Sequence, residues 1–245
     1  MTGIGTIVNT VAVILGSLIG LLLKKGIPER ATEAVMKALG VATMFIGIGC
    51  TLSEMLVIGE DGQLTTQGIM MMIISLALGA LVGELLRIEE GLDKLGEKLK
   101  NTKFFRNSKT FSEGFITATL VVCVGAMAIV GSLRDGMLGD PTMLYSKSAL
   151  DFISTMMFAS ALGIGVLLSA APMALYQGGI TLLAGLIGGF FTDSIISNLS
   201  LVGSVLIFGV GVNLVFGKKL KVGNMLPALL VPILYGLFEL IKNQH

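Results

Sequence analysis

The sequence predicts an all-α integral membrane protein, a polytopic transmembrane helical bundle of about eight spans that makes one domain of residues 1–245. Three observations carry this. Of the residues 53% are hydrophobic and only 13% charged, too little polar surface to cover a soluble domain. Apolar runs of roughly 18–21 residues recur along the whole chain, the length a helix needs to cross about 30 Å of hydrocarbon. The runs are apolar all round instead of alternating, which speaks against a β-barrel.

The first run, Ile4 to Leu23, lacks the basic flank and small-residue cleavage site of a signal peptide and is expected to stay as a span. The others are Ala38 to Ile58, Gly68 to Leu86, Phe115 to Leu133, Ala149 to Ala171, Pro172 to Phe191, Leu199 to Phe216 and Met225 to Ile241. Fourteen of the seventeen basic residues fall in the first, third and seventh connections: Lys24, Lys25, Arg30 and Lys37; Arg87, Lys94, Lys98, Lys100, Lys103, Arg106 and Lys109; Lys218, Lys219 and Lys221. Eight crossings put all three on one side, which the positive-inside rule makes cytoplasmic, with both termini outside. The basic stretch "RIEEGLDKLGEKLKNTKFF" reads as an amphipathic surface helix with Leu92, Leu95 and Leu99 on one face.

Three segments resemble one another, residues 4–58, 68–133 and 172–216, each a helix with small residues four apart followed by one with a small-residue cluster near its end. Leu15, Leu18, Ile19 and Gly20 align with Leu183, Leu186, Ile187 and Gly188, and Asn9 with Gln177. The first and third copies start five crossings apart and so point in opposite directions, an inverted repeat of the kind transporters use. Gly16 with Gly20 and Gly79 with Gly83 are small-xxx-small pairs for close helix packing, or faces that slide. Gly47 and Gly49 of "GIG", Gly178 of "QGG", and Gly209 and Gly211 of "GVG" are expected to unwind helices locally and free backbone carbonyls for an ion.

Polar side chains within such runs are the candidate ligands. They are Asn9, Gln177, Ser132 and Asn213 as neutral groups, with Asp135, Asp140 and Asp151 as carboxylates. A buried amide also serves simply to bond a neighbouring helix. The stretch "GSLRDGMLGD" reads as a glycine-shaped outer element between spans four and five, carrying acids to the edge of a pathway or merely staying wet. Lys147 precedes Asp151 by four residues, the spacing of a helical ion pair.

Other chemistry is poorly supplied. Cys50 and Cys123 lie within apolar runs as packing residues, and the single histidine, His245, is terminal, so no His-based triad or metal site is expected. There is no "GxxxxGK" stretch for ATP, and a net charge of +1 excludes a basic nucleic-acid binder.

At "IGTIVNTVAVILGSLIGLLLKKGIPER", "VGAMAIVGSLRDGMLGD", "KSALDFISTMMFASALGIGVLLSA" and "KVGNMLPALL" the chain resembles, nearly end to end, the YqgA/YdfK-like family (DUF554) of bacterial membrane proteins. The resemblance implies an inner-membrane protein labelled a transporter, with no substrate or catalytic residue to carry over. The leading expectation is a secondary transporter or passive pathway for a small ion or metabolite, not driven by ATP, needing no cofactor beyond a coupling cation or proton. Its expected partners are the lipid bilayer, the solute and copies of itself. A non-transporting oligomeric scaffold is the alternative. An intramembrane aspartyl enzyme is disfavoured because "GMLGD" has the wrong glycine spacing and no partner tyrosine-aspartate pair, so no enzymatic activity is expected.

Overall fold

Hydrocarbon offers backbone amides no water, so a spanning chain must bond them within helices. The computed structural model describes residues 2–24, 29–59, 62–91, 94, 110–123, 126–187, 191–217 and 219–242. Its helices are α1 (Ile4–Lys24), α2 (Glu29–Met55), α3 (Ile69–Leu86), α4 (Phe111–Cys123), α5 (Ala126–Leu138), α6 (Thr142–Leu162), α7 (Gly165–Leu168), α8 (Ala170–Ile187), α9 (Asp193–Phe216), α10 (Val222–Met225) and α11 (Leu230–Lys242), with a 3-10 turn at Leu226–Leu229. Between α2 and α3 a hairpin pairs β1 (Leu56–Ile58) with β2 (Leu64–Thr66), Val57 opposite Thr65. The second expected span therefore ends at Met55, where β-branched residues and the left-handed Gly62 (φ 73°) favour the hairpin.

Six helical segments among the described residues are long and apolar enough to cross a membrane, and a bent pair makes seven. That pair corrects the expected Phe115 to Leu133 span: it is α4 and α5, whose axes lie 56° apart. The expected fifth span, Ala149 to Ala171, is shifted: α6 begins at Thr142 and stops at Leu162, before Gly163, and its 21 residues are long enough to cross but carry Lys147 and Asp151. Exposed leucines such as Leu175, Leu182 and Leu186 form the apolar outer surface.

Glycine decides which helices touch. A Cβ on Gly16 would lie 2.4 Å from Phe152 O and one on Gly20 2.2 Å from Met156 O, so α1 lies backbone to backbone along α6, and the two run parallel. In the same way a Cβ on Gly83 would lie 1.7 Å from Asn224 O and one on Gly79 2.3 Å from Ala228 N, seating α3 antiparallel on α10 and the 3-10 turn. α2 and α9 are antiparallel, Gly47 against Phe208 and Gly211 against Met44. α1 and α8 are antiparallel too, bonded through Thr6 with Thr181 and Asn9 with Gln177.

The glycines expected to unwind their helices do not. α2 continues through Gly47 and Gly49, α8 through Gly178 and α9 through Gly209 and Gly211, contrary to the expectation of broken helices there. The physical reason at Gly47 and Gly211 is a neighbouring backbone that leaves no room for a side chain, while Gly49 has nothing within 4 Å. A break does occur at Gly163 (φ 86°), between α6 and α7. Gly188, Leu92, Leu95, Leu99 and His245 lie outside the described residues.

The connections sort into two ends. At one, Lys24 reaches Ala161 O, Lys221 pairs with Glu84, and Glu89 N donates to Asn224. At the other, Asp135 meets Gly3, Ser197 meets Glu54, and Gly236 meets Ile195. Lys24, Arg87, Lys219 and Lys221 thus share an end, as the charge pattern required.

Candidate functional site

The buried face of α1 presents Thr6, Asn9, Val13, Gly16, Ser17 and Gly20, spaced three or four apart so that they form one stripe along the helix. Polar groups follow this stripe from the Gly3 end inward. Asp135, fully buried on α5, accepts the backbone N–H of Gly3 at 3.2 Å and of Gly5 at 3.0 Å, placing its carboxylate at the positive end of α1. Beside it the hydroxyls of Thr6 and Thr181 bond at 3.1 Å.

The next turn of α1 brings three helices together. Asn9 Nδ2 donates to Asp151 Oδ2 of α6 at 3.0 Å and to Gln177 Oε1 of α8 at 3.1 Å, with Met173 Sδ 3.6 Å away. Lys147 Nζ, one turn earlier on α6, donates to the same Asp151 Oδ2. Asn9 and Gln177 are completely buried, and Lys147 and Asp151 are 5% and 4% exposed. Asp151 fixes the amide orientations: Asn9 must turn its NH₂ to the carboxylate, and Gln177 must then offer it oxygen. Asn9 Oδ1 and Gln177 Nε2 remain buried with no hydrogen-bond partner among the described residues.

Such a cluster needs its pairing. An unpaired charge deep in the bilayer is costly, and each buried amide half without a partner is destabilising by roughly 1–3 kcal/mol. Farther along, the Thr155 hydroxyl bonds Asp151 O at 2.7 Å and lies 3.5 Å from Val13 O. Ser17, completely buried, has a hydroxyl without a partner among the described residues. The seam thus continues from Gly3 toward Lys24.

Of the residues expected from sequence, Asn9, Asp151 and Gln177 meet, while Asp135 lies on the same seam nearer the Gly3 end. Ser132 does not join them, because its hydroxyl folds back onto Ala128 O of its own helix. Asn213 does not either: its side chain takes the N–H groups of Lys219 and Leu220 at 2.9 Å and donates to Leu220 O at 2.7 Å, closing the turn after α9. The glycine-shaped outer element is mostly helix. Gly131 and Gly136 pack against Leu144 and Thr181 O, so only Gly139 (φ 64°), Asp140 and Pro141 form the connection.

Asp140 itself is a surface residue. It pairs with Arg134 at 2.6 Å and accepts the Thr142 N–H at 3.1 Å, in the turn just before α6. Bonds from the Thr142 side chain, the Arg134 guanidinium and the Thr142 amide pull its carboxyl down to about 2. Because the folded value lies below the unfolded one, its stabilisation is complete above the ordinary carboxylate range near pH 4 and is lost as pH falls toward 2. Asp140→Ala is expected to flatten this acid limb in a series of melting curves between pH 5 and pH 2 and to leave the curve above pH 5 unchanged in shape.

Sequence reading missed Thr6, Thr181, Met173, Thr155 and Ser17. The signal was present for α1, where Thr6, Asn9, Val13 and Ser17 share a helical face, and Thr181 stands one turn beyond Gln177.

Comparison with known proteins reaches almost end to end. The family model described as "Protein of unknown function (DUF554)" matches residues 4–236. The chain is 32% identical over 228 residues to the "Uncharacterized membrane protein YdfK" of Bacillus subtilis (strain 168), covering 93% of each chain. It is 33% identical over 234 residues to the "Uncharacterized protein YqgA" of Escherichia coli (strain K12), covering 93% of this chain and 94% of that one. No solved structure matches.

Proposed function

We propose, from the premise that the chain belongs to the DUF554 family of membrane proteins, that it passes a small solute or ion along the buried seam of α1 without using ATP. The observation that carries this is the junction of Asn9, Lys147, Asp151 and Gln177. Charges and amides are costly inside an apolar bundle, and those that are kept there generally line a path or hold an ion. Here two amide atoms are left unused.

The helix pairing supports an inverted repeat. The first three passes, α1, α2 and α3, each lie antiparallel against the pass five positions later: α8, α9, and α10 with α11. Residues related by a two-fold axis touch one another only on that axis. Asn9, which aligns with Gln177 in sequence, bonds it directly, and Gly47 of "GIG" packs on Phe208, next to the "GVG" that matches it. Such an axis in the membrane plane would let α1 and α8 exchange outward- and inward-open roles around the junction. The basic end faces the cytoplasm and both termini lie outside a bacterial inner membrane.

Uptake into liposomes of purified full-length protein, across a panel of ions and small metabolites, tests this against Asp151→Asn and protein-free vesicles. At least one solute is expected to enter with the parent and to slow about ten-fold or more with the variant, corresponding to about 1.4 kcal/mol of barrier. Equal flux in all three preparations would overturn transport and leave the oligomeric scaffold.

A further inference from the structure

We infer that the solute at this junction is a small monovalent cation, and that the Lys147 ammonium is its tethered stand-in, occupying Asp151 until the cation replaces it. This rests on the transport reading and names the ligand class of the same site.

The charge pattern is the first argument. Buried along α1 between Gly3 and Ser17, the carboxyls of Asp135 and Asp151 stand against the single ammonium of Lys147 among the described residues. Asp135 is met by the N-terminal amides of α1, and Asp151 is the carboxylate that holds the ammonium. An anion would have to settle between two acids. A cation meets one on its way and one at its destination.

Oxygen supply is the second. Asn9 Oδ1 is an unused acceptor, completely buried, and Gln177 Oε1 and Asp151 Oδ2 both contact the Asn9 amide. One carboxylate with two amide oxygens suits a monovalent ion or a primary ammonium. A divalent ion generally collects more charged ligands, and no group of three acidic, histidine or cysteine side chains that could hold a metal occurs among the described residues. Gln177 Nε2, a donor, is left for a water that the ion retains.

The third argument is how little must move for the exchange. Lys147 and Asp151 are one turn apart on the same helix, so their bond breaks by rotation of a four-carbon stem without any helix shifting. A lysine held from a different helix would tie two helices together and resist replacement. Here α1 and α6 are already fixed by Gly16 and Gly20, so departure of the ammonium unties no pair of helices.

Melting temperatures of the full-length protein in detergent would test the exchange at constant pH and ionic strength. The four media are sodium, potassium, methylammonium and, as a bulky reference, choline chloride. In the parent at least one of the three small cations is expected to raise the melting temperature above choline. Lys147→Met is expected to lower the concentration needed by at least about ten-fold, since a tethered competitor reduces apparent affinity by the fraction of sites it leaves open. Asp151→Asn should abolish the difference. Identical melting of the Lys147→Met protein in all four salts, or a cation preference that survives Asp151→Asn, overturns the inference.

Should the methionine variant fail to fold, the parent supplies its own readout. The small cation is expected to increase modification of Lys147 by a membrane-permeant amine reagent, scored by mass spectrometry, and unchanged labelling in all four salts would refute the exchange. Cation binding without flux would remove transport and keep the ligand class. Flux of an uncharged solute, indifferent to all three cations, would do the reverse.

Discussion

Asp151→Ala is expected to destabilise the protein by about 3–5 kcal/mol, because it strands the Lys147 ammonium in the bundle with no anion beside it. The same change also removes an acceptor of the Asn9 NH₂ group. Removing both charges together tests whether this loss is one of pairing or of packing. A Lys147→Met, Asp151→Leu double variant should melt within about 1 kcal/mol of the parent or above it, since buried ion pairs replaced by apolar groups of similar volume are often neutral to stabilising. It should nonetheless carry no solute. Thermal melting in detergent and vesicle uptake, measured on the same preparations, separate the two effects. A double variant as unstable as Asp151→Ala would show that the pair is structural.

Gly20→Leu should be comparably damaging by another route. Even a methyl group there would lie 2.2 Å from Met156 O and 2.9 Å from the Ala159 side chain, both part of the rigid helix α6. Overpacking of this kind costs about 1–3 kcal/mol when a core can adjust, and a backbone carbonyl adjusts less than a side chain. The expected response is a shift of α1 away from α6 that lengthens the Asn9 to Asp151 bond, with solute flux falling alongside the melting temperature. Gly49→Ala is the control. It adds its methyl to open space in α2, and no loss of melting temperature or flux is expected.

Much of this arrangement was legible in the residues themselves. Hydrophobic runs revealed the helices because hydrocarbon thickness fixes their length, and the four-residue step from Lys147 to Asp151 announced an ion pair because a helix stacks such positions. The alignment of Asn9 with Gln177 singled out two amides 168 positions apart that do meet. Glycine was where the reading erred. In a soluble loop, Gly131 and Gly136 would signal turns, but between membrane helices their lack of a Cβ serves close approach, so Asp135 was placed in a connection when it belongs to a buried helix. Asn213 misled for a related reason: beside a glycine cluster it looked like an ion ligand, whereas local backbone groups take its bonding capacity. Ser132 found its acceptor on its own preceding turn, a choice that no pattern of spans reveals.

The Asp135 carboxylate, which receives the Gly3 and Gly5 amides, is encoded some 130 positions after them. During synthesis the leading segment therefore leaves the ribosome with its first turn unmet, and with Asn9 still awaiting acceptors that are translated only after residue 150. The α1 segment gains these partners only after several later segments have been laid down. A product truncated before Asp135 would accordingly leave the Gly3 and Gly5 amides without this acceptor.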